Sequence, residues 1–283
     1  VASSATPLDT ARIDQITGLK GTLNQQEGVY KVSLPRADLK ISVDKWQMPP
    51  FMGLTSWAAF KPGMKENAMV MGDLVLMQDE VNPVMSAALN SGLQVTALHN
   101  HFLFDEPKVY FMHIAGEGGL EQLASAVRKA LDQVKEVRAA SPQPATSFAA
   151  AALPVQSSIS PKPLETIFGA TGQTNNGMFK IVIGHTTKMS CGCEAGKEMG
   201  VNTWAAFAGT DDNALVDGDF AMTEDELQAV LKTLRGAGIN IVAIHNHMVG
   251  ETPRYIFLHY WGRGPADSLA RSLRKTLDSQ HQP

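Results

Sequence analysis

The phrase Ala97-Leu98-His99-Asn100-His101 returns as Ala243-Ile244-His245-Asn246-His247, and that return decides the fold. Downstream, Lys108-Val109-Tyr110-Phe111-Met112-His113 is answered by Arg254-Tyr255-Ile256-Phe257-Leu258-His259. Upstream, Thr55-Ser56-Trp57-Ala58-Ala59-Phe60 is answered by Asn202-Thr203-Trp204-Ala205-Ala206-Phe207, and Gly72-Asp73 by Gly218-Asp219. One constant offset carries every residue from Gly72 to Gly118 onto Gly218 to Gly264, so this stretch holds no net insertion. A weaker match pairs Tyr30–Leu34 with Phe179–Ile183. Self-similarity over such a length marks a duplicated unit.

The elements of each copy follow from periodicity. Leu227, Val230, Leu231 and Leu234 fall on one helical face behind a Thr223/Glu226 capping box, and Gly236 with Gly238 stops the run. Val81, Val84, Met85 and Ala88 do the same in the first copy, with Pro83 confined to the opening turn. Strands follow at 94–101 and 240–247, then a turn holding Pro107 or Pro253, then a further strand. A closing amphipathic helix carries Leu120, Leu123, Val127, Leu131 and Val134, or Leu269, Leu273 and Leu277. Stretches 30–34, 55–60 and 69–76 read as strands, as do their counterparts. The expected class is α+β, a tandem repeat of two similar domains, each an antiparallel sheet with two helices. Residues 1–135 form the first repeat, an Ala/Ser/Pro-rich linker spans 136–163, and 164–283 form the second.

Of the eight histidines only His185 and His281 lie outside two triads, His99/His101/His113 and His245/His247/His259. Side chains alternate along a strand, so each H-x-H pair shares one face, with Val95 and Ala97 in the first copy. A hairpin centred near Glu106 sets His99 across from His113, and one centred near Thr252 sets His245 across from His259. Cross-strand neighbours lie about 4.5–5.5 Å apart at Cβ, close enough for three imidazoles to converge on one ion. Three neutral imidazoles with an open position suit zinc best, with iron, copper or nickel as further fits. An open position lets a metal activate water or polarise a carbonyl. The turn carboxylates Asp105, Glu106 and Glu251 are the candidates for general base, and the aligned pair Asp105/Glu251 also for fourth ligand. Asp73 and Asp219 are candidate partners that hold an imidazole in its ligating tautomer.

Two cysteines, Cys191 and Cys193, exclude a multi-disulfide framework. Met189-Ser190-Cys191-Gly192-Cys193 reads as a soft-metal site, a redox pair in a very short ring, or two small residues in a turn. Trp57 and Trp204 pack in the core by default, with a pocket wall as the alternative. Gly72 and Gly218 interrupt apolar strands and suggest a turn or bulge. A net charge of −4 gives no footprint for nucleic acid. No run approaches the roughly 18 apolar residues of a transmembrane helix. The opening Val1-Ala2-Ser3-Ser4-Ala5-Thr6-Pro7 reads as the mature end left by a signal peptide.

Three phrases, Ala-Leu-His-Asn-His (97–101), Glu-Pro-Lys-Val-Tyr-Phe-Met-His (106–113) and Asn-Thr-Trp-Ala-Ala-Phe (202–207), resemble the LppY/LpqO family. The likeness covers nearly the whole chain. It implies a bacterial exported, envelope-associated protein with a tandem domain of unknown function, periplasmic or secreted, and it assigns no reaction. The triad spacing is also similar to the three-histidine zinc site of acetolactate decarboxylase-like folds, which implies zinc and carbonyl or ester chemistry. The resulting expectation is a zinc-dependent hydrolase or lyase acting on a small-molecule carbonyl or ester substrate. The alternative is a non-catalytic envelope protein that stores, delivers or senses metal.

Overall fold

The computed structural model describes residues 7–63 and 68–280. The amino-terminal residues up to Thr6, read as a processed end, and His281 lie outside them. The chain forms two compact units, Val1–Thr146 and Ser147–Pro283.

Unit 1 runs α1 (Thr10–Thr17), β1 (Thr22–Asn24), β2 (Val29–Pro35), β3 (Ser42–Val43), β4 (Trp46–Gln47), β5 (Thr55–Pro62) and β6 (Ala68–Met77). It continues with α2 (Gln78–Asn90), β7 (Gln94–His99), β8 (Asp105–Glu106), β9 (Val109–Gly118) and α3 (Leu120–Ala140). Unit 2 repeats the order as α4 (Pro161–Phe168), β10 (Gln173–Asn175), β11 (Met178–Gly184), β12 (Thr187–Lys188), β13 (Glu194–Ala195), β14 (Asn202–Gly209) and β15 (Ala214–Thr223). It closes with α5 (Leu227–Gly236), β16 (Asn240–His245), β17 (Tyr255–Gly264) and α6 (Ala266–Ser279). The large sheet of unit 1 is antiparallel in the order β1-β2-β5-β6-β9-β7, and that of unit 2 in the order β10-β11-β14-β15-β17-β16.

The α+β class and the duplication are as expected, but each unit has three helices among the described residues, not two. The additional ones are α1 and α4. Each is eight residues long with two buried side chains, too short for a periodic signature, and each ends on a left-handed glycine, Gly18 or Gly169. Helix α3 continues to Ala140 and α4 opens at Pro161, so the segment between helices is shorter than the expected 136–163. No described helix is long and apolar enough to cross a membrane.

The helices cover one face of each sheet, where Phe60, Val70, Leu74 and Ile114, or Phe207, Val216, Phe220 and Tyr260, are buried. The opposite face carries a smaller apolar cluster. In unit 1 it comprises Ile41, Met48, Leu54, Val75, Met77, Val109 and Phe111; in unit 2 Ala195, Val201, Ala221, Tyr255 and Phe257. The short hairpins β3–β4 and β12–β13 lie at these clusters, and the histidines stand beside them.

Gly72 and Gly218 sit in regular register, not at a turn or bulge. A Cβ on Gly218 would collide with the Tyr260 hydroxyl and with the Trp204 carbonyl oxygen. That hydroxyl donates to the same carbonyl at 2.9 Å, so the glycine makes room for a buried tyrosine. The irregularity falls instead between Val95 and Ala97, and between Ile241 and Ala243.

Candidate metal centre

Strand register builds one row across each sheet. In unit 1 Trp57 on β5 faces Asp73 on β6, Asp73 faces His113 on β9, and His113 faces Ala97 on β7. In unit 2 the row is Trp204, Asp219, His259 and Ala243. His99 pairs with Phe111 and His245 with Phe257, so neither faces the third histidine of its triad as expected. The bulge is the reason. One extra residue shifts the pairing and sends Val95 to the helix-covered face while Ala97 keeps the histidine face. His101 and His247 lie beyond the strand ends, stacked on Phe111 and Phe257 at ring distances of 3.4 and 3.6 Å.

The triads still gather, diagonally. His99 stacks on His101 at 5.2 Å and on His113 at 5.1 Å, with the Nε2 atoms of His99 and His113 3.1 Å apart. His245 lies 5.1 Å from the ring of His247 and 4.7 Å from that of His259. Unit 2 adds a carboxylate: Asp219 Oδ2 stands 3.2 Å from His247 Nε2. Asp219, His245 and His247 each offer a donor atom within 4.8 Å of the others, the one such group among the described residues. This group could hold a metal ion. His259 stands beside it, stacked on His245.

Several features suit an ion. His245 Nε2 and Asp219 Oδ1 are buried without a hydrogen-bond partner, a costly state that coordination relieves. His247 Nδ1 lies 3.1 Å from the Gly200 carbonyl oxygen. Donation from that nitrogen leaves the Nε2 lone pair directed at the group, the usual outer support of a ligating imidazole. Burial, with the neighbouring charges of His259 and His247, pushes the His245 imidazole below its ordinary value and favours the neutral, ligating form. Burial also pushes the Asp219 carboxyl up, against the pull of His259 and His247. In unit 1 His101 is likewise lowered by burial and by His99, while Asp73 raises it.

The turn carboxylates occupy other positions. Asp105 Oδ2 accepts from the Val109 amide at 2.8 Å, and Glu251 Oε1 from the Tyr255 amide at 3.2 Å. Both are buried and hold the turn that opens β9 or β17, whose prolines follow cis peptides Glu106–Pro107 and Thr252–Pro253. Glu106 is exposed, its backbone paired with Ser42. The carboxylate that joins the histidines is therefore Asp219. Its sequence signal was the repeated Gly-Asp, which strand pairing against the histidine strand could have placed.

A cleft of about 480 Å³ in unit 2 is lined by Asp219 and His247, and also by Trp204, Lys180, Lys197 and Glu198. Trp204 is half-buried with the Lys180 ammonium 4.2 Å over its ring, so it forms a pocket wall as well as packing. Lys197 and Glu198, on the short helical turn Lys197–Met199, carried no signal in the sequence.

No curated protein matches the chain. Among solved structures, it is similar to the trimeric bacterial microcompartment shell protein PduB at 10% identity and a TM-score of 0.23, covering 92% of this chain and 89% of that one. A second likeness is to a double-ringed trimeric shell protein from the RMM microcompartment, at 12% identity and a TM-score of 0.19, covering 88% and 92%. A family model matches residues 11–133 and 162–279, one copy in each unit. The chain thus belongs to the family described as Domain of Unknown Function (DUF1259).

Proposed function

We propose that unit 2 holds a zinc ion through Asp219, His245 and His247, and acts as a hydrolase or lyase on a small carbonyl or ester substrate. The observation that carries this reading is the cleft on whose wall Asp219 and His247 stand. Two imidazoles and a carboxylate are a ligand set of catalytic zinc, and they leave a coordination position free. A bound zinc would supply Lewis acidity for a carbonyl or for water. The chain's own residues do the rest. Gly200 fixes the His247 tautomer. Trp204 gives the cleft an apolar wall, and Glu198 is the exposed carboxylate at its edge able to carry a proton. A cleft of this volume suits a small molecule. Export to the bacterial envelope, implied by the family resemblance of the sequence, is part of the same proposal.

The test is turnover of an activated small ester, p-nitrophenyl acetate, by protein loaded with zinc. The expected result is hydrolysis that chelator abolishes, zinc restores and His247→Ala lacks. Stoichiometric zinc with no turnover on any of a panel of small esters and 2-oxo or 2-hydroxy acids would contradict the enzyme and leave metal storage or delivery. No zinc bound would contradict both.

A further inference from the structure

The hairpins at the two apolar clusters differ at their tips. In unit 1 β3 and β4 are joined by the turn Asp44-Lys45, both residues left-handed at φ 49° and 65°. In unit 2 β12 and β13 are joined by residues 189–193, within which Cys191 and Cys193 form a disulfide. The backbone already closes this loop. Met189 N–H donates to the Cys193 carbonyl and Gly192 N–H to the Met189 carbonyl, both at 2.8 Å.

The body of the hairpin is also held without sulfur. Lys188 and Thr252 exchange backbone bonds at 3.0 and 2.9 Å, and the Thr187 hydroxyl donates to the Pro253 carbonyl at 2.7 Å. Unit 1 makes the corresponding pairing between Ser42 and Glu106 with no cysteine at all. The fold therefore closes this element by hydrogen bonds, and the disulfide is an addition confined to unit 2. Both cysteines are exposed, and no atom outside residues 191–193 lies within 4 Å of where a side chain on Gly192 would start. Exposed disulfides that no packing protects are the ones open to exchange. The two sulfurs are not equivalent, because the Cys193 amide donates to Cys191 Sγ at 3.3 Å. A hydrogen bond to that sulfur stabilises its thiolate.

We propose that Cys191–Cys193 is a thiol–disulfide exchange site whose substrate is a thiol pair. An incoming thiolate bonds to Cys193 Sγ, the Cys191–Cys193 bond breaks, and Cys191 leaves as the thiolate under the Cys193 amide. The substrate's second thiolate then bonds to its own first sulfur and displaces Cys193. The substrate dithiol is oxidised to a disulfide, this pair is reduced to a dithiol, and the two substrate protons pass to the two cysteines. With a monothiol, a second thiol molecule performs the second step. The proposal does not rest on the metal reading.

The experiment incubates oxidised full-length protein with reduced glutathione and, in a second arm, with a reduced two-cysteine peptide. New thiols are trapped with a maleimide and counted by mass, and circular dichroism follows the fold. Expected is opening of the disulfide at millimolar glutathione with the spectrum unchanged. Faster opening by the peptide assigns the substrate to polypeptide thiols, and equal or slower opening to small thiols. Cys191→Ser, incubated instead with oxidised glutathione, should form a mixed disulfide on Cys193 with release of one reduced glutathione. Cys193→Ser should leave a Cys191 thiol that alkylates about tenfold faster at neutral pH than Cys193 does in Cys191→Ser. A disulfide that opens only when the protein is denatured would overturn the proposal, as would opening that unfolds the protein. The double variant Cys191→Ser/Cys193→Ser should melt as the wild type does, and a large loss of stability would make the bond a brace.

Discussion

The two units share a scaffold and differ at its edge. Both align a tryptophan, an aspartate and a histidine across three strands, and both stack the last histidine of the H-x-H on a phenylalanine. In unit 2 His247 reaches Asp219 on one side and the Gly200 carbonyl on the other. The turn beside it is Lys197-Glu198-Met199, and its counterpart in unit 1 is Pro50-Phe51-Met52, with Phe51 95% exposed. Unit 1 invests instead in a buried ion network. Arg36, 2% exposed, binds fully buried Glu80 through both terminal nitrogens, at 2.8 and 2.9 Å, and Arg138 joins at 2.9 Å. In unit 2 the matching position to Arg36 is His185, and Glu226 is met by Gln280 at 3.2 Å. Duplication kept the sheet that aims the side chains, while the loops and the charged core diverged. One copy became the candidate site and the other a braced partner.

Breaking that division has graded consequences. The largest concerns the brace: Arg36→Met leaves buried Glu80 with Arg138 as its remaining ion partner, and unit 1 should lose about 3 kcal/mol in urea unfolding. His185→Ala should cost unit 2 far less, because it removes a half-buried ring with its contacts to Thr203 and Tyr255 and strands no buried charge. Next is the carboxylate. Asp219→Asn should weaken zinc binding about 100-fold, roughly 2.7 kcal/mol, by competition with a chromophoric chelator, while Asp73→Asn leaves that affinity unchanged. Third is the crowded glycine. Gly218→Ala should cost about 1–3 kcal/mol, since its Cβ meets a buried hydroxyl and a backbone oxygen. Tyr260→Phe in the same chain should recover part of that loss, and a double-mutant cycle measures it.

The smallest effect is in pH. Burial lowers both His245 and His101, so the unfolded chain takes up their protons at about pH 6.5 and the folded chain only at lower pH. The stability they confer is present above that value and is lost as pH falls through the folded values. Melting temperature of the metal-free protein should therefore be flat from pH 8 to 7 and decline below about pH 6.5, with a steeper decline for the zinc form.

Much of this was written in the sequence. The duplication, the antiparallel α+β class and the convergence of the histidines follow from the spacing of identical phrases and from strand parity. The register did not, because a bulge has no compositional marker when the extra residue is an ordinary Thr96 or Val242. That one-residue slip moved the centre of each hairpin. Asp105 and Glu251 read as ligands because they are aligned carboxylates in the turn between the histidine strands, and there their carboxylates accept from backbone amides. The repeated Gly-Asp marks Asp219 as a candidate partner of an imidazole, and only its place 3.2 Å from His247 makes it a candidate ligand. The cleft residues Lys180, Lys197 and Glu198 come from three separate segments with no periodic signature, so only tertiary structure assembles them.

On this reading the working metal site lies in the second unit. Elemental analysis of purified wild type, His101→Ala and His247→Ala distinguishes the two units. About one equivalent of metal is expected in wild type and in His101→Ala, and nearly none in His247→Ala. Metal retained in His247→Ala, or lost from His101→Ala instead, would contradict this reading.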